Sequence, residues 1–286
     1  MQRLFETLLS VFEPLNTYRS AYRRAASTES TTSITPPPTI KISLPYTMSS
    51  PKTYYKAAVI IFHGVDLLDF TGPLEILSHA SHNHNPDDPD LAFTVDTIAR
   101  DSIVRAKSSL SINADLVIAD PTTARKLPDY DILVCPGAPP SVIKDLIASS
   151  HDHHDAPEVD LIRRFAALPP KDESAPRIVF SVCTGAFLVA QAGLLTDGVV
   201  ATTHHRAVEP LRRLCAEVND PVAVSPTIVH RRYVDQEVSS LGVRLLTAGG
   251  ISSGLDATLH LVSRLISPDM AQFVARVMEY DVKWSE

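Results

Sequence analysis

The chain has 286 residues, of which 44% are hydrophobic and 21% are charged, and its formal net charge is −7. This composition supports a full hydrophobic core and differs from that of disordered proteins. The acidic balance argues against nucleic-acid binding, which depends on a basic surface that neutralises phosphates. No apolar run approaches the ~20 residues that a membrane span requires, so we expect a soluble protein without a membrane partner.

Residues 1–52 differ in composition from the rest of the chain. The stretch 25–38 is rich in Ser, Thr and Pro, which cannot form a packed core. Apolar residues recur at helical spacing before it and arginines follow, as in a mitochondrial presequence, but two glutamates in the same stretch argue against import. We predict a disordered or targeting extension over residues 1–52 and one α/β domain over residues 53–286.

From residue 57 onward, β-branched apolar runs alternate with helical segments. The run 57–62 is continuously apolar, as is typical of a strand buried on both faces of a parallel sheet. The alternation predicts an α/β fold with a doubly wound, mostly parallel sheet and helices on both faces. The predicted strands are 57–62, 131–135, 177–182, 199–203 and 245–248, the predicted helices are 73–79, 140–148, 186–192, 207–216, 255–265 and 268–280, and the segments 110–119 and 225–235 are interpreted as hairpins or edge strands.

Cys183 lies between a predicted buried strand that ends at Val182 and a helix that follows at once. The small neighbours Ser181 and Gly185 fit the sharp strand-to-helix turn on which many enzymes expose a nucleophile. Free N–H groups at a helix start favour the thiolate, so we expect a lowered thiol pKa. The sequence therefore predicts a reactive cysteine, and the alternative is a buried thiol that only packs.

Asp69 is the predicted proton-transfer partner of Cys183. It lies between apolar residues after the first predicted strand, at the end of the sheet where open α/β folds bind ligands. Apolar surroundings raise the pKa of a carboxyl group and suit it to proton transfer. The alternatives are that Asp69 caps a helix opened by residues 71–73, or that Glu75 is the carboxylate that turns inward.

The loop after the strand 131–135 is predicted to approach the ligand. Gly137 has no Cβ, so its N–H and that of Thr184 are predicted to form an oxyanion-type hole, with Ala138 and Gly185 beside the substrate. The other two cysteines, Cys135 and Cys215, are interpreted as packing residues. The three scattered cysteines favour a reducing compartment, so we expect a cytoplasmic protein.

Several further polar residues are weaker candidates. The tract 151–155 and the pair His82 and His84 contain metal-binding residue types, but such loops are more often solvated, and we predict no metal site. His204 is interpreted as a hydrogen-bonded structural residue. Asp256 is interpreted as an anchor or cap at the start of a helix.

Three ordered blocks of the sequence resemble the ThiJ/PfpI superfamily, and within it the isocyanide hydratases. The first block runs from Asp66 to Leu77 in Asp-Leu-Leu-Asp-Phe-Thr-Gly-Pro-Leu-Glu-Ile-Leu. The second is Ser-Val-Cys-Thr-Gly-Ala at 181–186, followed by Ala-Gly-Leu-Leu at 192–195 and Ala-Thr-Thr-His at 201–204. The third spans residues 247–260.

This resemblance implies a flavodoxin-like sandwich, a homodimer and a site made by Asp69, Cys183 and Thr184. The implied reaction is thiolate attack on the terminal carbon of R–N≡C, protonation assisted by Asp69 and hydrolysis of the thioimidate to an N-formamide. It needs a small electrophilic substrate and neither a metal nor an organic cofactor. The alternatives are a glyoxalase-like or deglycase-like activity on reactive carbonyls and a non-catalytic redox or ligand sensor.

Other branches of the superfamily fit less well. Protease-like members carry histidine directly after the cysteine, where this chain has Thr184. Glutamine amidotransferases of related fold use a later His-x-Glu, and no histidine after Cys183 is followed by glutamate two residues on. The chain ends at Glu286 without the helix-turn-helix pair of the regulators, so we do not expect gene regulation. The usual Thr-Thr-His-Trp reads Thr-Thr-His-His at 202–205.

Overall fold

The computed structural model describes residues 52–148, 156–171, 175–196, 198–219, 225–238 and 242–284. The predicted extension lies outside these ranges except for Lys52, and so does the histidine tract 151–155. Within the described ranges, no helix combines the length and the apolar character that crossing a membrane demands.

Seven of the strands form one sheet, in which all neighbours are parallel except one antiparallel pair at an edge. The described strands are β1 (Tyr55–Ile61), β2 (Phe93–Ala99), β3 (Ile103–Arg105), β4 (Ser111–Asn113), β5 (Leu116–Val117), β6 (Ile132–Cys135), β7 (Ile178–Val182), β8 (Val200–Thr202), β9 (Thr227–Val229), β10 (Tyr233–Val238) and β11 (Arg244–Ala248). The sheet order is β10-β11-β7-β6-β1-β2-β5. Its five central strands, β2-β1-β6-β7-β11, have the 2-1-3-4-5 order of flavodoxin-like folds, which confirms the predicted fold class.

Helices cover the sheet in two groups. The described helices are α1 (Leu67–His79), α2 (Pro121–Lys126), α3 (Pro140–Ala148), α4 (Pro157–Ala166), α5 (Ala186–Gln191), α6 (Val208–Val218), α7 (Ser253–Leu265) and α8 (Pro268–Val277). Helices α1, α7 and α8 pack on one another, and α3, α4 and α6 pack around α5. The apolar strands β1, β6 and β7 between them are almost fully buried, as their sequences predict.

The order of strands reverses between β1 and β6. The chain runs outward from β1 through β2 and β5, then returns to β6 beside β1 and continues to β7 and β11. At such a switch point the loops that follow two adjacent strands diverge and leave a crevice at the carboxyl ends of the strands. The loops after β1, β6 and β7 therefore meet at one edge of the sheet.

Four of the described strands and α-helices are absent from the predicted set: the short β3 and α2, and the longer β2 and α4. In β2, polar residues separate the apolar ones, and Thr94 and Asp96 are not buried, so the continuous apolar signal of a central strand is missing. Helix α4 follows a polar tract, and its first turn holds two acidic residues. One of them, Glu158, is nevertheless buried, because Arg100 donates to it at 2.7 Å. A distant partner of this kind leaves no local signal in the sequence.

The strand predicted at residues 199–203 lies outside the main sheet. It is β8, which pairs in parallel with β9 in a separate two-stranded sheet. The place beside β7 in the main sheet is taken by β11, which pairs with all five residues of β7. The segment predicted at 225–235 divides between β9 and the edge strand β10, which do not pair with each other.

A partly buried ionic cluster joins the edge strand β10 to its neighbours. Asp235 accepts two hydrogen bonds from Arg244 on β11, one of them at 2.8 Å, and its Oδ2 lies 2.7 Å from His260 Nε2 on α7. Burial alone would raise the pKa of the Asp235 carboxyl, but the bonds from Arg244 and His260 outweigh burial and hold that pKa below its usual range. The charged carboxylate therefore stabilises the folded state.

We predict that Asp235→Asn lowers the free energy of unfolding at pH 7 by about 2 kcal/mol, because charge-assisted hydrogen bonds are lost inside the protein. Because the pKa of Asp235 is lower in the folded chain than in the unfolded chain, the carboxylate stabilises the fold at pH values above the unfolded pKa of about 4. The difference in unfolding free energy between the variant and the native chain should therefore shrink as pH falls below that value. Urea unfolding at pH 7 and at lower pH measures it. Asp160→Asn, at a half-exposed helix pair, is the control and should cost about 0.5 kcal/mol. Equal losses in the two variants would contradict the prediction.

Candidate active site

Asp69 lies in the first turn of α1, at the switch point of the sheet. Helix α1 begins at Leu67, six residues before the predicted start, and Pro73 lies inside it. The Asp69 side chain does not cap this helix, because its Oδ2 accepts the N–H of Gly137 after β6 at 3.1 Å. Glu75, the alternative carboxylate, is exposed and pairs with His79, so the structure favours Asp69.

Cys183 occupies the turn between β7 and α5 with a backbone φ of 57°. This left-handed conformation is strained for a residue with a side chain, and it persists where the surroundings fix the backbone. Here the Cys183 N–H donates to the Gly249 carbonyl at 2.9 Å, and its carbonyl accepts the Thr203 hydroxyl at 2.8 Å. Residues 183–185 form one 3₁₀ turn before α5 begins, so Cys183 has the geometry of a nucleophile elbow.

The two glycines of the site permit close approach of backbone segments. A Cβ on Gly185 would lie 2.0 Å from the carbonyl oxygen of Cys135, the last residue of β6. A Cβ on Gly137 would lie 2.6 Å from Thr184 Oγ1 and 2.9 Å from Asp69 Oδ2. Gly185 therefore packs against β6, and Gly137 brings the loop after β6 against both Asp69 and Thr184.

The N–H groups predicted to form an oxyanion hole already have partners in this structure. Gly137 donates to the Asp69 carboxyl, and Ala138 donates to Thr184 Oγ1 at 2.9 Å. The Thr184 hydroxyl in turn donates to the Ala138 carbonyl at 2.8 Å. The expectation of a free Gly137 donor is thus corrected, because this loop orients Asp69 and the elbow instead.

The carboxyl group of Asp69 is fully buried, and among the described residues its Oδ1 has no hydrogen-bond partner. Burial raises the pKa of Asp69 to about 7, and the nearby charge of Asp66 adds to the rise. The Gly137 N–H and the Cys183 thiol act in the opposite direction by donating hydrogen bonds. The sequence-based prediction of a raised pKa is therefore confirmed.

The expectation of a lowered thiol pKa at Cys183 is wrong. Burial, and after it the neighbouring carboxylate of Asp69, raise this pKa to about 12. The backbone N–H groups of Thr184 and Ile251 bond to the sulfur and lower the pKa, but they do not compensate. At neutral pH the thiol keeps its proton, so it needs a base at the moment of attack, and Asp69 is in contact with it.

Asp66, Asp69 and Cys183 offer three ligand atoms that all lie within 4.8 Å of one another. The Lys107 ammonium lies 2.8 Å from Asp66 Oδ1 and neutralises that carboxylate, which lowers its value as a cation ligand. A protonated thiol is likewise a poor ligand, because metals bind the thiolate. A proton-exchanging pair of Asp69 and Cys183 beside the Asp66–Lys107 ion pair therefore describes this cluster better than a metal site does.

The remaining candidates have structural partners. His82 Nε2 lies 2.9 Å from the Thr53 carbonyl oxygen, and the His84 ring packs against Phe273. His204 Nδ1 accepts the Arg206 N–H at 3.3 Å, and burial lowers the pKa of its imidazole. This agrees with its interpretation as a structural residue.

Asp256 is an anchor rather than a helix cap. It is fully buried in the first turn of α7 and pairs with the Arg232 guanidinium. Its Oδ1 also accepts the Tyr280 hydroxyl at 3.0 Å and the Lys283 N–H at 2.9 Å. The carboxylate thus joins the segment after α8 to the loop before β10.

Four residues of the site are absent from the sequence-based list. Asp66 lies one helical turn before Asp69, and this i, i+3 spacing was a usable signal. Thr203 and Ile251 belong to blocks that the resemblance already singled out. Lys107 approaches from the turn between β3 and β4, and no local pattern marks it.

No protein-family profile matches the chain, but individual proteins do. The isonitrile hydratase of Pseudomonas putida is 29% identical over 221 residues, which cover 77% of this chain and 76% of that protein. An uncharacterized protein encoded in the cpoL 5' region of Streptomyces lividans is 32% identical over 164 residues, or 56% of this chain and 95% of that protein. The crystal structure of a ThiJ/PfpI family protein from Pseudomonas syringae has a TM-score of 0.60 at 19% identity, covering 86% of this chain and 83% of that one, and shows the same fold.

We predict that Gly185→Ala lowers the free energy of unfolding by about 3 kcal/mol, because the added methyl group overlaps the Cys135 carbonyl. Gly193→Ala is the matched control. Gly193 has a φ of 80° with nothing within 4 Å of an added Cβ, so this change costs only the left-handed strain, about 1 kcal/mol. Thermal and urea unfolding measure both variants. A Gly185→Ala loss no larger than that of the control would refute the packing role.

Proposed function

From the fold that the chain shares with a ThiJ/PfpI family protein and from its 29% identity to an isonitrile hydratase, we propose that it is a cofactor-independent lyase that hydrates isocyanides to N-formamides. The observation that carries the proposal is the buried contact of the Cys183 thiol with the Asp69 carboxyl at the switch point of the sheet. Isonitrile is a synonym of isocyanide, so the named activity of the Pseudomonas putida relative agrees with this chemistry.

The first step forms a bond between Cys183 and the substrate. The Asp69 carboxylate accepts the thiol proton while the sulfur attacks the terminal carbon of R–N≡C. Asp69 then delivers this proton to the same carbon, which gives the thioimidate R–N=CH–S bonded to Cys183. The N–H groups of Thr184 and Ile251 stabilise the negative charge that develops on the sulfur.

The second step hydrolyses the thioimidate. Asp69 accepts a proton from the attacking water, whose oxygen bonds to the thioimidate carbon, and the proton passes to nitrogen. The C–S bond then breaks, the hydroxyl proton returns to the sulfur, and R–NH–CHO leaves. The sum is one isocyanide plus one water, so the cycle needs no redox partner and restores both side chains.

The reactive form carries one proton shared between Asp69 and Cys183. It gains a second proton below about pH 7, the pKa of Asp69, and loses the shared one near pH 12, the pKa of Cys183. We therefore expect kcat/KM to rise with pH through about 7 and then to stay level.

We predict that two variants shift the rising limb of the kcat/KM profile, near pH 7, in opposite directions. Asp66→Asn removes the negative charge that raises the Asp69 pKa, so the limb shifts to lower pH. Lys107→Met leaves Asp66 unpaired, so the limb shifts to higher pH. Measuring kcat/KM against pH with an uncharged isocyanide tests both, and Lys126→Met, whose ammonium lies 3.8 Å from an Asp96 oxygen away from the site, is the control. Shifts in the same direction would contradict the assignment of the limb to Asp69.

We predict that Cys183→Ala reduces formamide production from an alkyl isocyanide by more than about 10³-fold and leaves the fold intact. Asp69→Asn should reduce it by about 10²–10⁴-fold, because only the proton transfer is lost. Cys215→Ala, at a buried packing cysteine on α6, is the matched control and should keep its turnover. Gas chromatography of the formamide and circular dichroism follow activity and fold.

Two other activities are outcomes of the same assay. Lactate release from methylglyoxal without formamide production would replace the proposal by a glyoxalase-like activity. A purified protein that turns over neither substrate but forms sulfinic acid selectively at Cys183 would indicate a sensor. The raised thiol pKa disfavours the sensor, since oxidation proceeds through the thiolate.

A further inference from the structure

A cleft of about 630 Å³ lies among the loops next to β8, β10 and β11, and residues of its lining separate it from Cys183. Three of its lining residues contact the nucleophile: the Gly249 carbonyl accepts the Cys183 N–H, the Thr203 hydroxyl donates to the Cys183 carbonyl, and the Ile251 N–H bonds to the sulfur. The volume falls in the range of small-molecule sites, about 300–1,000 Å³. The cleft is therefore the natural place for the part of the substrate that does not react.

The charge of this cleft is opposite to that of the protein. The whole chain has 33 acidic and 26 basic residues, yet the residues that line the cleft include two arginines and three histidines and no aspartate or glutamate. Its lining consists of Thr203, His204, His205, His230, Arg231, Arg232, Gly249, Gly250, Ile251, Ser252 and Ser253. An anion in this cleft meets hydrogen-bond donors and no carboxylate of the lining.

Arg231 supplies positive charge that nothing in the described part of the chain neutralises. The guanidinium of the neighbouring Arg232 is paired with Asp256, whereas the structure shows no acidic partner for Arg231 within the described ranges. The Arg231 backbone is held in place, because Thr202 Oγ1 donates to its carbonyl at 3.1 Å and accepts its N–H at 3.4 Å. A fixed backbone keeps this side chain at the cleft.

His204 adds a neutral donor beside Arg231. Burial and the neighbouring His205 and Arg206 lower the pKa of His204, so the ring is uncharged near pH 7. Its Nδ1 accepts the Arg206 N–H, which leaves the proton on Nε2. The Nε2 edge faces Gly250, where an added Cβ would come within 3.1 Å of Nε2, and so borders the cleft.

We infer that the electrophile attacked by Cys183 carries a carboxylate, and that Arg231 binds this group in the cleft. A guanidinium matches a carboxylate with two parallel N–H···O bonds. Cys183 lies behind the lining residues Gly249 and Ile251, so the reactive carbon enters first and the carboxylate stays beside Arg231 in the cleft. The electrophile itself rests on the proposed function, but the anion preference of the cleft does not.

The first experiment compares two alkylating agents of nearly equal size, iodoacetate and iodoacetamide, which form the same S–CH₂ bond and release iodide. Mass spectrometry follows the rate at Cys183, with the buried Cys135 and Cys215 as internal references. Arg231→Gln should slow iodoacetate by at least about fivefold and leave iodoacetamide unchanged, because only the anion gains from the positive charge. In the native chain, higher ionic strength should reduce the rate advantage that Arg231 gives to iodoacetate over iodoacetamide, because salt screens the charge.

Arg213→Gln is the matched control for charge. Arg213 is an exposed arginine on α6 that does not line the cleft, and it takes no part in the proposed mechanism. Both alkylation rates should stay within about twofold of the native values in this variant. If Arg231→Gln leaves the ratio of the two rates unchanged, or if Arg213→Gln changes it equally, the inference is overturned.

Turnover separates this inference from the proposed function. An isocyanide that bears a carboxylate should have a higher kcat/KM than its amide analogue, and Arg231→Gln should remove that preference through KM. If neither compound is hydrated while the alkylation result holds, the isocyanide proposal fails and the anion-binding cleft stands. If both compounds are hydrated equally well by the native and the variant chains, the inference fails and the proposed function stands.

Discussion

The contact between Cys183 and Asp69 is the interaction on which the rest of the site depends. Both groups are buried, and burial raises both pKa values; the Asp69 carboxylate raises the pKa of the Cys183 thiol further, whereas the thiol lowers the pKa of Asp69 by donating a hydrogen bond to it. A thiol of this kind is inert until a neighbouring base removes its proton. The site therefore links nucleophilic attack to proton transfer within one pair, and the substrate has to reach both groups together.

The surrounding backbone holds this pair in place at the cost of strain. Cys183 has a left-handed φ, and Ile251, whose N–H bonds to the sulfur, has a φ of 36°. Gly137 and Gly185 allow contacts that no side chain would permit. Strained residues persist only where the fold determines their conformation, and here the buried parallel strands β6 and β7 provide that rigidity.

Charge is distributed unevenly around the nucleophile. On one side, Asp66 and Lys107 form an ion pair that tunes the Asp69 carboxyl, and on the other side Arg231 stands beside the paired Arg232. A neutral, compact electrophile fits the first side, and an anionic group fits the second. The buried pair of Cys183 and Asp69 sets the chemistry at the sulfur, whereas the cleft lined by Arg231 bears on what the rest of the substrate can be.

Local patterns were sufficient for much of this protein. The apolar runs at β1, β6 and β7 predicted the parallel sheet, the strand-to-helix turn predicted the position of Cys183, and the apolar neighbours of Asp69 predicted its raised pKa. Each of these depends on residues within one turn or one strand. The missed elements β2 and α4 have mixed polar sequences, and their place in the core depends on distant partners such as Arg100.

By itself the sequence determined the fold class and singled out Cys183 and Asp69 as candidates for the nucleophile and its carboxylate partner, because periodicity and neighbouring residues specify burial and turns locally. Only the tertiary structure decided the protonation state of Cys183, since that depends on burial and on a carboxylate that lies 114 positions away along the chain but in contact with the thiol. Only the tertiary structure also shows that the Gly137 N–H donates to Asp69 and is not a free donor for a substrate, and that Arg231 lines a cleft. Electrostatic effects act through space, and the order of residues along a chain does not record distance.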